Sequence, residues 1–243
     1  VLSATEADDV WYVDRYAPAG FTSPVALGGD DRLLHSIAAA DGQANNFLNT
    51  QGRAFNLNDN TNYAEIELFI PSDWATANKR MAGLWAVAHD AGEVVSGYPI
   101  VEFTSDGNNP RFRVWESGGT GGWVDLGLPN GFVYDTWTTL SIQLLPSSEF
   151  LLKAGNLGYV TTTSSGDAST HLHSVILQGH NTPAGVTYDI HWDNLEYNQI
   201  SVPAETCEGY VDYTYVYTDC AGLSFAWTYT VEFNDDVDPS LTC

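Results

Sequence analysis

The stretch Asn62-Tyr63-Ala64-Glu65-Ile66-Glu67-Leu68-Phe69-Ile70 alternates polar or aromatic residues with aliphatic ones. Successive side chains of a β-strand point to opposite faces, so this period of two is typical of a strand with one buried face. Pro71 follows directly and indicates the end of the strand, because proline has no N–H to donate to a neighbouring strand. The segment therefore predicts a sheet that is covered on one side.

The same pattern continues in both directions from this strand. Further predicted strands are Gly83–His89, Pro99–Thr104, Arg111–Glu116, Gly122–Leu126, Thr136–Leu145, Glu149–Ala154, His173–Gly179 and Tyr188–Tyr197. Turn-forming residues separate them, as in Ser105-Asp106-Gly107-Asn108-Asn109-Pro110 and Pro129-Asn130-Gly131. No amphipathic helix of ten or more residues lies between these strands, which favours an all-β antiparallel sandwich.

The composition excludes some classes of partner. Eight basic residues against 31 acidic ones give a formal charge of −23, so nucleic acid and anionic membrane surfaces would be repelled. No apolar run approaches the roughly 18–20 residues of a membrane span. The acidity suits a cation-rich medium in which Ca²⁺ occupies carboxylate clusters, and it equally suits solubility alone.

The last part of the chain differs from the body. Ile200–Glu205 contains a proline and predicts a linker, and two alternating strands follow at Tyr210–Tyr217 and Ser224–Val231. All three cysteines, Cys207, Cys220 and Cys243, lie in this tail. We therefore expect a first domain over residues 1–199 and a second, small one over residues 200–243 that belongs to a longer array.

The tail resembles a known repeat. The resemblance is carried by Tyr217-Thr218-Asp219-Cys220-Ala221-Gly222, by Trp227-Thr228-Tyr229-Thr230-Val231 and by Asp238-Pro239-Ser240-Leu241-Thr242-Cys243. These segments are similar to the HYR-like immunoglobulin-fold repeats of bacterial surface adhesins, although Leu223 stands where those repeats have an asparagine-like turn residue. The resemblance implies an Ig-like segment in a secreted, extracellular stalk.

The body is similar to the concanavalin A/laminin G-like jelly rolls of secreted bacterial proteins. The segments that carry this resemblance are Arg80–Trp85, Pro99–Gly107, Pro110–Arg113 and Tyr188–Tyr197. Sandwiches of this class bind glycans, bind proteins or cleave polysaccharides, so the resemblance implies a fold and no single activity.

Glycan recognition needs an aromatic ring for the C–H face of a sugar and polar groups for its hydroxyls. Trp115, Trp123 and Tyr98 lie beside glycine-rich turns, and Arg111 and Arg113 share a strand face with Trp115. Two arginines could bind a sulfate or a uronate by donating paired hydrogen bonds to it. Each could instead pair with an acidic residue across a strand, Glu102 or Asp106, and the tryptophans could belong to the core.

The metal expected is a structural Ca²⁺. Asp189 and Asp193 share one strand face near the end of the sandwich, and Asp8, Asp9 or Asp14 would reach Asp193 if the first and last strands pair. An exposed acidic strand face explains the same residues. Zinc is disfavoured because His171 and His173 have no cysteine nearby to complete a usual ligand set.

Catalysis lacks support in the sequence, and the enzyme hypothesis stays an alternative. Glu65 and Glu67 share a face as a glycosidase pair would, but a plain solvent face explains them better. Lys153-Ala154-Gly155 resembles the corresponding strand of jelly-roll alginate lyases, whereas Gln178-Gly179-His180 fits their second motif only in letters.

The function expected is an extracellular adhesion module whose jelly roll binds glycans or surface polysaccharides. Neighbouring copies or further repeats of the same protein are further expected partners. A structural subunit of a surface filament is one alternative, and a polysaccharide-degrading glycosidase or lyase is another. Cys207 and Cys220 are expected to form a disulfide that stabilises the tail by roughly 3 kcal/mol, although pairing with Cys243 is open.

Overall fold

The computed structural model describes residues 2–38, 50–117, 121–162, 168–180, 187–200, 209–218 and 223–233. Strands dominate this part of the chain. Its helical segments are two short 3₁₀ turns, Ser72–Ala75 and Asp106–Asn108. None of its helices is long and apolar enough to cross a membrane.

Within the described residues, eighteen strands follow one another in chain order. The first nine are β1 (Leu2–Ser3), β2 (Trp11–Arg15), β3 (Gly20–Leu27), β4 (Asp30–Ile37), β5 (Thr50–Asn56), β6 (Thr61–Ile70), β7 (Met81–His89), β8 (Val95–Gly97) and β9 (Ile100–Thr104). The others are β10 (Arg111–Glu116), β11 (Gly122–Gly127), β12 (Thr136–Leu144), β13 (Phe150–Ala154), β14 (Leu157–Val160), β15 (His171–His180), β16 (Tyr188–Ile200), β17 (Gly209–Thr218) and β18 (Ser224–Phe233).

The strands form two nine-stranded sheets. Sheet A has the order β1-β2-β5-β15-β7-β9-β10-β11, with β8 paired beside β7. Sheet B has the order β14-β13-β12-β6-β16-β17-β18, and β3 and β4 join it through β16. Almost all the pairings are antiparallel, and the exception between named strands is β1 with β2. The fold is therefore the all-β sandwich that the strand pattern predicts, and it is the jelly roll that the resemblance implies.

The core lies between the two sheets. Strands of the sandwich contribute alternate residues to it, as in β6, where Ala64, Ile66, Leu68 and Ile70 are all buried. Fully removing such aliphatic side chains from water stabilises the sandwich by roughly 1.5–3 kcal/mol each. The opposite residues of each strand form the two outer faces, which we call the sheet A face and the sheet B face.

One titratable side chain, His35, is completely buried in this core. Its Nε2 lies 2.9 Å from the carbonyl oxygen of Gln51, and the indole N–H of Trp192 donates to its Nδ1 at 3.4 Å. Because an indole N–H only donates, Nδ1 accepts and Nε2 carries the proton. Burial lowers the pKa of His35 to about 3.

The tail strands extend sheet B. Residues Glu196–Ile200 of β16 pair with Tyr213–Tyr217 of β17, and β17 pairs along its length with β18. Residues 223–230 are exposed on both sides of the ribbon that these two strands form. Residues 201–208, where we predict the linker, lie outside the described residues, as do Cys207, Cys220 and Cys243 with their expected disulfide.

Candidate functional site

The sheet A face carries most of the residues that the sequence singles out. Strand pairing aligns Tyr12, Ala54, Ile176, Trp85 and Ile100 in one row across five strands. Trp115 and Trp123, which are opposite each other on β10 and β11, pack against the same cluster. We call this set the tryptophan row. It is a second apolar cluster on the side of sheet A that faces away from the main core.

A polar row runs beside it at the next outward position of each strand. Its members in strand order are Asp14, Gly52, Gln178, Gly83, Glu102, Arg113 and Asp125. The two glycines leave space for their neighbours, since a Cβ atom on Gly83 would lie 2.7 Å from Nε1 of Trp85. Gln178 uses the space over Gly52 to donate a hydrogen bond to Asp14.

The strongest electrostatic contact of this row joins Glu102 to Arg113. Glu102 is completely buried, and the Nε and Nη2 atoms of Arg113 each lie 2.6 Å from its Oε1. The indole N–H of Trp85 donates to Oε2 at 3.4 Å. Burial raises the pKa of Glu102, and the guanidinium of Arg113 opposes that rise. The guanidinium also lies over the ring of Trp123, 3.9 Å from its centroid.

Four of the five residues expected to bind a glycan lie at one edge of this face, on the paired strands β10 and β11, whereas Tyr98 is exposed and precedes β9. The rings of Trp115 and Trp123 meet edge to face with centroids 5.3 Å apart. Arg111 Nε lies 2.7 Å from Asp125, and Arg111 Nη1 donates to the carbonyl oxygens of residues 106 and 109. Both arginines are thus paired with carboxylates across a strand. Glu102 was an expected partner, whereas Arg111 pairs with Asp125 and contacts only the backbone oxygen of the expected Asp106.

The carboxylates expected to bind calcium lie in separate places. Asp8 accepts a hydrogen bond from Asn56 on sheet A, and Asp9 follows it in the turn before β2. Asp189 accepts from Ser36, and Asp193 pairs with Arg32 at 2.9 Å, both on sheet B. The premise that the first and last strands pair is wrong, because β2 pairs with β5 in sheet A while β16 lies in sheet B. Calcium binding by these residues stays a prediction.

The sheet B face carries a carboxylate cluster that the sequence only partly indicates. Glu196 lies opposite Glu65 on the neighbouring strand, so a third carboxylate joins Glu65 and Glu67. Tyr63 donates a short hydrogen bond to Glu65, and Asn194 donates to Glu67 at 2.8 Å. Partial burial, followed by the charge of Glu65, raises the pKa of Glu196 to about 7.

The residues similar to a lyase motif do not meet in one place. Lys153 is exposed on β13 of sheet B, whereas Gln178 and His180 lie on β15 of sheet A. Gln178 is completely buried and hydrogen-bonded to Asp14. The three side chains therefore provide no shared position for a substrate between them.

A histidine cluster on the sheet A face was missed by the sequence analysis, which weighed His171 and His173 alone as zinc ligands. His89 lies directly opposite His171 on the neighbouring strand, and Glu93 follows in the next turn. Period two places His171 and His173 on one face, but only the pairing register brings His89 to them. The sequence pattern does not give this register, so it could not predict the cluster.

The comparisons with known proteins concern two parts of the molecule. Residues 185–233 match a family model described as an HYR-like domain with 4 cysteines. The match begins three residues before β16, ahead of the linker that we predict, so the matched segment includes this strand of the sandwich. No curated protein matches the chain.

Several solved structures are similar in fold. A tetrameric galectin from the ball sponge Cinachyrella sp. is 14% identical, with a TM-score of 0.39 over 58% of this chain and 94% of that chain. The alginate lyase vAL-1 from Chlorella virus is 13% identical, with a TM-score of 0.42 over 77% and 92%. LamA from Zobellia galactanivorans, in complex with laminaritriose and laminaritetraose, is 12% identical, with a TM-score of 0.44 over 75% and 88%.

Proposed function

We propose that the protein is an extracellular adhesion module that binds a glycan at the edge of sheet A formed by β10 and β11. The observation that carries this proposal is the pair of tryptophans, Trp115 and Trp123, held at that edge beside an exposed carboxylate, Asp125. The HYR-like match in residues 185–233 supports an extracellular setting, and the sequence resemblance to adhesin repeats supports the adhesive role.

The electrostatics of this edge favour a neutral sugar. Arg111 and Arg113 are each engaged by a carboxylate, so neither presents an uncompensated positive charge to a sulfate or a uronate. The formal charge of −23 adds a long-range repulsion against polyanions. Asp125, whose side chain is 54% exposed, can accept hydrogen bonds from sugar hydroxyls while Trp123 contacts the C–H face.

Affinity electrophoresis on gels containing neutral or acidic polysaccharides, with Ca²⁺ present, tests the proposal. We expect retardation by a neutral polysaccharide, and a loss of about tenfold in affinity in Trp123→Ala, which corresponds to ~1.4 kcal/mol. The matched control is Trp137→Ala, because Trp137 is a half-buried tryptophan of the sheet B face, also under an arginine.

Two results would count against glycan binding at this edge. One is the absence of retardation by every neutral polysaccharide. The other is an equal loss in Trp123→Ala and Trp137→Ala. Retardation by acidic polysaccharides alone would overturn the electrostatic argument, since it requires a cationic site that the ion pairs of Arg111 and Arg113 do not offer.

Polysaccharide hydrolysis is a second candidate, and it has a specific observation of its own. Glu196, with a pKa raised to about 7, lies beside Glu65, and one protonated and one ionised carboxyl group is the arrangement that glycoside hydrolysis uses. Release of reducing ends by the wild-type protein, with loss in Glu196→Gln, would favour this candidate. Equal release by both proteins would reject it.

A further inference from the structure

We propose that His89, Glu93, His171 and His173 bind one divalent transition-metal ion, with zinc as the first choice. One ligand atom of each side chain lies within 4.8 Å of those of the other three. The four residues are on the sheet A face, on β7, on β15 and in the turn after β7. This site goes beyond the proposed glycan binding, and neither function requires the other.

Strand pairing creates the histidine part of the site. His89 and His171 are register partners on adjacent antiparallel strands, and their ring centroids are 5.7 Å apart. The register shifts between Leu172 and Ser174, so the strand carries an extra residue there. His173 lies in this bulge and stacks on His89, with centroids 4.1 Å apart and the ring planes at 7°. Three imidazoles thus share one small area of the face.

The turn after β7 supplies the carboxylate. The side chain of Asp90 accepts hydrogen bonds from the backbone N–H groups of Gly92 at 2.8 Å and Val94 at 3.0 Å, which closes the turn tightly. Glu93 has a φ of 60°, a left-handed conformation that is uncommon for residues other than glycine. As a result Glu93 Oε2 lies 3.4 Å from Nδ1 of His89 and 3.3 Å from Nε2 of His171.

The neighbouring residue Thr170 supports coordination of the metal through Nε2 of His171. The hydroxyl of Thr170 is 3.1 Å from Nδ1 of the same ring, so a proton on Nδ1 can be donated to Thr170 while Nε2 presents its lone pair. The backbone N–H of Thr170 donates to the carbonyl oxygen of His89 at 2.8 Å, which fixes the two strands at this point. Metal-binding histidines commonly have such a partner on the second nitrogen.

The chemistry of the donors selects the metal. Three imidazoles and one carboxylate suit Zn²⁺ and its neighbours in the first transition series, whereas Ca²⁺ prefers six to eight oxygen ligands. Zinc ligands lie roughly 2.0–2.2 Å from the metal, so the four donor atoms have to approach one another slightly on binding. Exposed Glu93 can make this movement, because its side chain is 70% accessible while those of His89 and His171 are 11% and 14% accessible.

Isothermal titration with ZnCl₂ on metal-stripped protein, together with the zinc content after equilibrium dialysis, tests the proposal. We expect one Zn²⁺ per chain with micromolar or tighter affinity. His171→Ala should lower the affinity by at least about tenfold. Glu93→Ala should lower it less, because solvent can replace an exposed ligand. Replacement by Co²⁺ should give the visible spectrum of a four-coordinate ion.

His191→Ala is the matched control, since His191 is a partly buried histidine of the sheet B face and lies outside the cluster. Unfolding curves without metal show whether each variant is folded, and Glu93→Ala changes only an exposed turn residue. The proposal is overturned if zinc does not bind saturably. It is equally overturned if the His171→Ala and Glu93→Ala variants bind as the wild type does, because one of the many surface carboxylates would then hold the ion.

Discussion

The outer faces of the two sheets differ in what surrounds their carboxylates. On the sheet A face, each carboxylate of the polar row near β10 has an arginine across the strand, as in Glu102 with Arg113 and Asp125 with Arg111. On the sheet B face, Glu65, Glu67 and Glu196 lie beside one another, and the pKa of Glu196 rises to about 7.

This difference shows how a very acidic chain accommodates its charge. Lysine and arginine number only 8 in all, so few strand positions can have a cationic partner. The completely buried carboxylate of Glu102 forms an ion pair with an arginine, because an unpaired buried charge costs several kcal/mol. Where the carboxylates are partly exposed and have no cationic partner, protonation neutralises their charge or solvent screens it.

The largest effect is expected from removing the cation of the buried pair. Arg113→Met keeps most of the aliphatic stem but leaves Glu102 buried without a counter-charge, so we expect a loss of about 3–5 kcal/mol in unfolding free energy. Urea denaturation at pH 7 measures it. The double variant Arg113→Met/Glu102→Gln should recover a large part of the loss. Arg111→Met is the control, and it should cost less than about 1 kcal/mol because Asp125 is 54% exposed.

A smaller effect is expected from the corresponding arginine of the sheet B face. Arg32 pairs with Asp193 at 2.9 Å and Asp30 at 2.5 Å, and lies over the ring of Trp137 at 4.6 Å. Both carboxylates reach solvent, and partial burial already raises the pKa of Asp193. We therefore expect Arg32→Met to cost about 1–2 kcal/mol in the same denaturation experiment. A loss as large as that of Arg113→Met would remove the distinction between the faces.

The smallest effect concerns the pH dependence of the carboxylate cluster. The pKa of Glu196 is raised in the folded protein from 4.5 to about 7, so its favourable contribution is fully present below pH 4.5 and is lost as the pH rises through 7. Glu196→Gln is neutral throughout. It should therefore be more stable than the wild type by about 1 kcal/mol at pH 8, after allowance for solvent screening, and equal to it at pH 4.

Denaturation at the two pH values measures this difference. Glu149→Gln, at the start of a different hairpin, is the control for the loss of one negative charge elsewhere on the molecule. A Glu196→Gln variant that gains nothing at pH 8 would mean that solvent fully compensates the neighbouring carboxylates.

Clear alternation in the sequence predicted some strands well, and several strands without it were missed. β10 was predicted with its observed bounds, Arg111–Glu116, because apolar Phe112 and Val114 alternate with polar partners. β4 and β5 were missed since β4 buries Arg32 and His35, and β5 buries Thr50 and Gln51, so neither shows a clean period of two. β3 contains Pro24, which argues against a strand except at a sheet edge, and among the described strands β3 pairs with β4 alone.

The sequence predicted the residues of the candidate site but not all of their partners. The residues Trp115, Trp123, Arg111 and Arg113 were recognisable from their shared face and their rarity in this composition. Pairing of an arginine with Glu102 was one of two alternatives, whereas Asp125 was not among the expected partners. The calcium prediction assumed that the first and last strands of the sandwich pair. They lie in different sheets, so Asp8 and Asp9 are not brought next to Asp193 by strand pairing.

The amino-acid sequence by itself determined the class of fold, the exposed or buried side of most strands and the acidic character of the surface. These properties follow from local alternation, turn residues and composition, which each segment carries without reference to the others. Only the tertiary structure decided which side chains meet across strands. Glu196 beside Glu65, and His89 with Glu93 beside His171, depend on register and on a bulge, which distant segments set jointly when they pair.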